Sequence, residues 1–364
     1  MAPTVVDRMT RRVQIFDPDG VRLAEVGQLE ALSATPRWRE VGGWSMTVPP
    51  GPAADALASA GSQVTIAADG GVAMSGPTTE VAWGPAGTVE AAGRGDLWWL
   101  AQRVALTGSA SPYPLTLDYT GVAETVLRTV LDDNAGPSAA AARRLVTFGA
   151  AGQARGTSST WKAANEPLLD LLLDIVHGQG WGLQVLREGA DRVFRLLVPV
   201  DVSASVRLHE RLGAISDWSR TRATPEASYV FAAGTESAGS RPVAEGGTVD
   251  SWGRIERWHN ASKTAVAGEL ETLRDAELAD KAAVDELSVT LAAVGPFRFG
   301  VDYGLGDTVS VQAGSLRRLD TVVGVDIDVD TVTPVLSGGR VLPALPSLRR
   351  LTDLERRVAA LEAN

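Results

Sequence analysis

From Val13 to about Gly95 the chain alternates short apolar and polar runs with Gly, Pro and Asp turns. Examples are RVQIF, the Pro18–Gly20 turn, WSMTV, QVTIA and GTVEAAGRG. A period of two in runs of this length predicts half-buried strands, spaced as in antiparallel β-barrels. After Asp96 the period lengthens. TGVAETVLRTVLDD sets Val122, Val126, Leu127 and Val130 on one helical face, and ANEPLLDLLLDIVHGQG predicts a helix from about Asn165 to His177. Asn165 suits the N-cap, Pro167 the first turn and the glycines the exit. Alternation resumes in WGLQVLRE and RVFRLLVPV and continues to about Ala233. GELETLRDAELADKAAVDEL reads as a charged amphipathic helix ending near Leu287, after which LSVTLAAV, FRFGVDY, DTVSVQ and TVVGVDIDVD complete a second β region.

The expected class is α+β, mainly β, with two related barrel-like domains, helical insertions and a C-terminal helix. The expected divisions are 1–95 (first β domain), 96–180 (mainly helical) and 181–262 (second β domain, first part). A helical insertion at 263–287, the closing β part at 288–340 and a linker with helix at 341–364 follow.

An internal repeat supports the pairing of the β regions. LEALSATPRWREVGGWSMTV from Leu29 lies over LGAISDWSRTRATPEASYVF from Leu212. Leu29/Leu212, Ala31/Ala214, Ser33/Ser216, Arg37/Arg220, Arg39/Arg222 and Ser45/Ser228 coincide at one offset. GSQVTI from Gly61 then resembles GDTVSV from Gly306, each a glycine corner entering a strand. The segment around Asp302, Tyr303, Gly304, Gly306 and Asp307 is accordingly read as a structural corner. A dinucleotide loop needs G-x-G-x-x-G before a helix, but the third place here is Val309, and a Walker loop needs a Lys that is missing.

Composition narrows the function classes. Lys and Arg number 34 against 44 Asp and Glu, a formal net charge of −10. That disfavours a general duplex-DNA binder, which neutralises phosphates with a basic stripe. Absence of cysteine removes disulfides, zinc–thiolate sites and thiol nucleophiles. No apolar run reaches signal-peptide or membrane-span length, so synthesis in a cytoplasm and no stable membrane insertion are expected.

Candidate chemistry is sparse, and no catalytic, metal or cofactor-binding residue is assigned. Asp326, Asp328 and Asp330 share a strand face, where spacing of about 7 Å is too wide for one calcium ion without loop ligands. A solvated or Arg-paired face is expected instead. His177, His209 and His259 lie in separate contexts, and serine never occurs as G-x-S-x-G. Ten tryptophans include Trp98–Trp99, Trp252 and Trp258, which either stack on sugars or pack in a core or interface, the latter being favoured. Near the C-terminus Leu351, Leu354, Val358 and Leu361 recur at three, four and three residues, an a/d seam. They suit an oligomer interface, and the alternative is one amphipathic helix docked on its own domain.

SWGRIERWHNAS (Ser251–Ser262), the ELETLRDAEL helix and FRFGVDYGLGDTVSV resemble the closing half of siphophage tail-tip hub proteins. That group is similar to the N-terminal hub region of tail-associated lysins and to myophage baseplate hubs. Its pattern is an aromatic-Gly-Arg-Ile-Glu strand, a helix, then Asp-Tyr-x-Leu-Gly-Asp leading into a strand. Gly253, Arg254, Ile255, Glu256, Asp302, Tyr303, Leu305, Gly306 and Asp307 occupy those places. The resemblance implies a homotrimer with two related β domains per subunit, six similar modules meeting a six-fold tail tube. It also implies a structural, non-enzymatic virion protein that closes the distal tube and opens for DNA passage without specific binding. Tail tube, tape measure and tip or fibre proteins are the implied partners. The alternative is a tail-associated cell-wall hydrolase or carbohydrate-binding module; the chain ends soon after the hub motifs, leaving no expected room for an appended domain.

Overall fold

The computed structural model describes residues 11–68, 71–84, 87–108, 111–236, 239–249, 251–261, 267–282, 284–292, 295–337 and 341–342. The chain divides into a larger unit, running to Ser216 and again from Thr290, and a smaller unit, Asp217–Val289.

The larger unit opens with β1 (Arg12–Phe16), β2 (Arg22–Glu25), β3 (Ala31–Thr35) and β4 (Gly43–Val48). Helix α1 (Pro52–Ala58) leads to β5 (Gln63–Ala68), β6 (Gly71–Trp83) and β7 (Val89–Arg94). A mainly helical stretch follows: α2 (Trp98–Ala101), β8 (Leu117–Val122), α3 (Ala123–Ala135), β9 (Thr147–Phe148), β10 (Ser158–Ala163) and α4 (Leu168–His177). Next come the hairpin of β11 (Gly182–Glu188) and β12 (Asp191–Leu197), and the short β13 (Arg207–His209). The smaller unit holds β15 (Tyr229–Ala233), β16 (Val243–Gly247), β17 (Glu256–Asn260) and α5 (Ala267–Asp280), with most of the strands that lead in and out of it, β14 (Ile215–Ala223) and β18 (Val284–Leu291). Back in the larger unit lie β19 (Thr308–Ala313), β20 (Leu316–Asp328), β21 (Val332–Leu336) and β22 (Val341–Leu342). The class is α+β, mainly β.

Twelve strands of the larger unit form one sheet, ordered β13-β19-β20-β3-β4-β7-β6-β5-β1-β2, with β21 and β22 also on β20. Among the described residues this path stays open rather than closing into a ring. The glycine-led half of the sequence repeat is built twice within it. β5 and β6 have the same lengths as β19 and β20, and every boundary is displaced by 245 residues. Each 13-residue strand pairs backward with its short predecessor and forward with its successor, and each shifts register in the forward pairing. Such an irregularity bends the long strand between its two pairings. The other half of the repeat is used differently. β3 pairs with β4, whereas β14 pairs with β18, and β15 with β16 and β17.

The apolar core of the helical stretch gathers Val126, Leu127 and Val130 of α3, Leu172 and Ile175 of α4, and Leu183 of β11. Three sequence expectations need correction. Helix α4 starts at Leu168 with Pro167 as N-cap residue, because Asn165 is left-handed (φ 61°) and its Oδ1 accepts from the Thr107 N–H. Helix α5 stops at Asp280 and residues to Leu287 are already in β18. FRFGVDY is a closed turn, not a strand: Gly300 (φ 77°) donates to Tyr303 O, and Arg298 N to the Asp302 carboxylate at 2.7 Å. The seam Leu351, Leu354, Val358 and Leu361 lies outside the described residues.

In the smaller unit α5 covers one face of the sheet β16-β15-β17, over the fully buried Val230 and Ala232. Glu277 of α5 ties the helix to β17, meeting Arg257 at 2.7 Å and His259 at 3.1 Å.

Candidate functional site

The connection between β3 and β4 carries Pro36, Arg37 and Trp38 along the edge of β20, where Arg37 forms an antiparallel bridge with Gly324. Pro36 O accepts from Val325 N, and Trp38 N donates to Val323 O at 2.9 Å. The Arg37 guanidinium reaches Val325 O at 3.1 Å and the Asp326 carboxylate at 2.8 Å. Asp326 and Asp328 are exposed on one face of β20, and Arg37 pairs the first of them, whereas Asp330, expected on the same face, lies in the turn after the strand ends at Asp328. That matches the Arg-paired expectation for this face. Among the described residues no cluster of three or more His, Asp or Glu could hold a metal.

Trp38 is the centre of this joint, only 6% exposed. Its ring is wedged between two glycines that sequence distance hides. A Cβ on Gly306 would sit 2.0 Å from the ring, and one on Gly182, the first residue of β11, 2.5 Å. Arg39 lies 5.6 Å from the ring and donates through Nε to Trp181 O at 2.7 Å. Burial lowers the Arg39 pKa below its usual value. One indole thus ties together the first β module, the second and the hairpin after the helices.

The corner is built to receive it. Gly306 has φ 87°, a region that side chains resist, and its N–H donates to Val322 O at 2.7 Å. Gly61, before β5, shares the conformation at φ 75°. Asp307 organises the turn from within: its carboxylate accepts from Gly304 N at 2.8 Å and Val200 N at 3.0 Å. Tyr303 and Leu305 are buried beside it, and Phe299 tilts against Tyr303 at 6.0 Å. Asp302 closes the preceding turn. A cleft of about 620 Å³ adjoins the corner, but its Glu188 is held by Arg195 and its Asp307 by backbone N–H groups. Nothing there is poised as an acid–base pair.

A second joint is polar. Ser75 on β6 donates to Asp96, which Arg192 of β12 meets at 3.2 Å, while Arg187 of β11 bonds Gln63 of β5. Burial raises the Asp96 pKa against the pull of Ser75 and the arginines. Trp99 is half-buried with the Arg192 guanidinium 5.2 Å from its ring, so this tryptophan packs. Trp252 and Trp258 behave otherwise, at 51% and 57% exposed. The three histidines stay apart: His177 ends α4, His209 Nδ1 accepts from Arg211 N, and His259 faces Glu277.

Sequence reading found the corner and missed its partner. Trp38 stands in PRWREVGG, and a bulky aromatic inside a Pro- and Gly-bounded connection was the available signal.

Residues 12–333 match the family model described as Siphovirus ReqiPepy6 Gp37-like protein. Among curated protein sequences none matches this chain. The fold is similar to the 43 kDa tail protein of prophage MuSo2 from Shewanella oneidensis, at TM-score 0.56 and 12% identity, covering 90% of this chain and 98% of that one. It is similar to a tail protein from Neisseria meningitidis MC58, at TM-score 0.54 and 14% identity, covering 90% and 95%. Prophage tail protein gp18 from Listeria monocytogenes EGD-e gives TM-score 0.51 and 10% identity, covering 95% and 98%.

Proposed function

Because the chain belongs to the Siphovirus ReqiPepy6 Gp37-like family of siphovirus tail proteins, and so to the virion, we propose that three copies form the hub closing the distal tail tube. The hub joins the tube and tape measure to tip or fibre proteins and opens for DNA. Its role is structural and not enzymatic. The observation that carries this reading is the doubled strand pair, β5–β6 and β19–β20, in one continuous sheet. Two similar modules per chain make six in a ring of three, which relieves the mismatch with a six-fold tube. With a formal charge of −10, the protein lacks the excess of cations that would grip passing phosphate.

Native mass spectrometry or light scattering tests the assembly. The expected mass is about 114 kDa, three times the 38.1 kDa chain. A monomer persisting at high concentration and in the particle would sink the proposal.

The C-terminal seam of Leu351, Leu354, Val358 and Leu361 is assigned here to contacts between copies. Replacing Leu354 and Val358 with Asp places like charges in that seam and removes apolar contacts worth roughly 1.5–3 kcal/mol per buried side chain. The expected outcome is an intact ring that no longer retains distal proteins in a pull-down. An unchanged pull-down argues for a helix that serves only its own subunit.

A further inference from the structure

Among the described residues, the face of the sheet β16-β15-β17 turned away from α5 is aromatic, with Tyr229 and Phe231 half-buried and Trp258 exposed. Helix α5 lies on the side of Val230, Ala232, Arg257 and His259, so strand alternation puts Tyr229, Phe231, Trp258, Glu245, Glu256 and Asn260 on the other. Register completes the grid. Phe231 stands opposite Glu245 on one side and Trp258 on the other, and Tyr229 opposite Gly247 and Glu256. Phe231 and Trp258 are stacked at 6.2 Å with planes 24° apart, and Tyr229 tilts against Phe231 at 5.3 Å. Trp258 remains 57% exposed and Val243, at the grid's edge, 42%. A sheet face turned to water ordinarily carries polar side chains.

Size and charge select the occupant. Three strands about 4.8 Å apart and five residues at about 3.3 Å give a platform of roughly 200 Å². A stable protein interface buries about 800 Å² on each partner, so this face is too small to hold a second protein by itself. Its charges balance. Arg254 pairs Glu256 at 2.6 Å and covers the Tyr229 ring at 3.6 Å, while Arg241 donates to Asn260 Oδ1 at 3.2 Å and Glu245 is the remaining carboxylate. An anionic polymer finds no surplus of cations here. A flat ring bordered by carboxylate acceptors and by guanidinium and amide donors matches one chemistry: a ligand with apolar C–H faces and many hydroxyls.

We infer that this face binds a short neutral oligosaccharide, with Trp258 as the stacking residue and Glu245, Glu256 and Asn260 bonding hydroxyls at its borders. The inference goes beyond the hub assignment and does not depend on it.

The test is calorimetric titration of the full chain with maltotriose, mannotriose and triacetylchitotriose, with a short polyphosphate as the anionic arm. At least one neutral sugar is expected to bind and polyphosphate to fail. Trp258→Ala weakens that binding about tenfold, the scale of one lost aromatic contact. Trp258→Tyr keeps most of it, and Trp83→Ala, at an exposed tryptophan of the larger unit, changes nothing. Circular dichroism checks that each variant is folded. The inference is overturned if no neutral sugar binds, if polyphosphate binds better, or if Trp258→Ala binds like the wild type. A drop in oligomer mass on Trp258→Ala would also overturn it, marking the face as a contact between copies.

Discussion

Gly306→Val is expected to unfold the larger unit at physiological temperature or to lower its melting temperature by about 10 °C or more. Two costs combine. The new Cβ would lie 2.0 Å from the Trp38 ring, and φ at this position is 87°. Overpacking a filled core costs about 1–3 kcal/mol, and a β-branched residue held at positive φ a further 1–3. Together they consume much of the roughly 5–15 kcal/mol by which domains are stable. The indole cannot step aside, since Gly182 bounds its other face and its backbone N–H is bonded to Val323. Gly304→Ala is the control: its Cβ would come no nearer than 3.4 Å to a heavy atom, Asp307 Oδ2, and little change is expected. Thermal unfolding followed by fluorescence reads both. A double-mutant cycle makes the cause specific, because Gly306→Ala should cost less in a Trp38→Leu background than alone. Equal costs in both backgrounds would show that the corner does not depend on the indole.

How far the sequence carried this depends on whether a signal was local. The Gly306 corner was legible because positive-φ glycine before a strand is a local demand, repeated at Gly61. Its reason was not, since Trp38 and Gly182 lie far from Gly306 along the chain and meet only in the fold. FRFGVDY alternates like a strand, but Gly300 and the Asp302 carboxylate bend it into a turn closed by bonds from Gly300 to Tyr303 and from Arg298 to Asp302. Asn165 offered a fitting N-cap side chain, yet Thr107 claimed its oxygen. The repeat was half legible: GSQVTI and GDTVSV mark equivalent strands, whereas Arg37 and Arg39 pack at the joint while Arg220 and Arg222 lie exposed on β14. Spacing could not reveal that Trp258 is exposed while Trp38 is enclosed, because burial is decided by what crosses each face.

Acid should weaken the helical stretch through one carboxylate that periodicity hid. Glu124 in the first turn of α3 is fully buried, a place where an apolar residue is usual. It accepts from Arg155 Nε at 2.9 Å, Arg155 Nη2 at 3.2 Å and Arg155 N at 3.0 Å, with Arg128 3.5 Å away. The pair clamps the 150s loop onto the helix, whose Glu124 N–H returns a bond to Arg155 O. Burial pushes the Glu124 pKa up, but Arg155 and backbone N–H groups outweigh it and hold the value down at about 2, against 4.5 for a free glutamate. A depressed carboxylate stabilises the fold above its unfolded pKa and loses that contribution as pH falls through the folded value. The window is therefore pH 4.5 down to about 2. The unscreened shift corresponds to roughly 3 kcal/mol, and water reaching the Arg155 side chain reduces this to about 2. Glu124→Gln should destabilise the protein by about that amount at neutral pH, and the difference from wild type should shrink towards zero as the pH approaches 2. Urea midpoints of the two proteins across this range are the measurement. Parallel curves would mean that the acid sensitivity arises elsewhere and that the Glu124–Arg155 clamp adds nothing to stability.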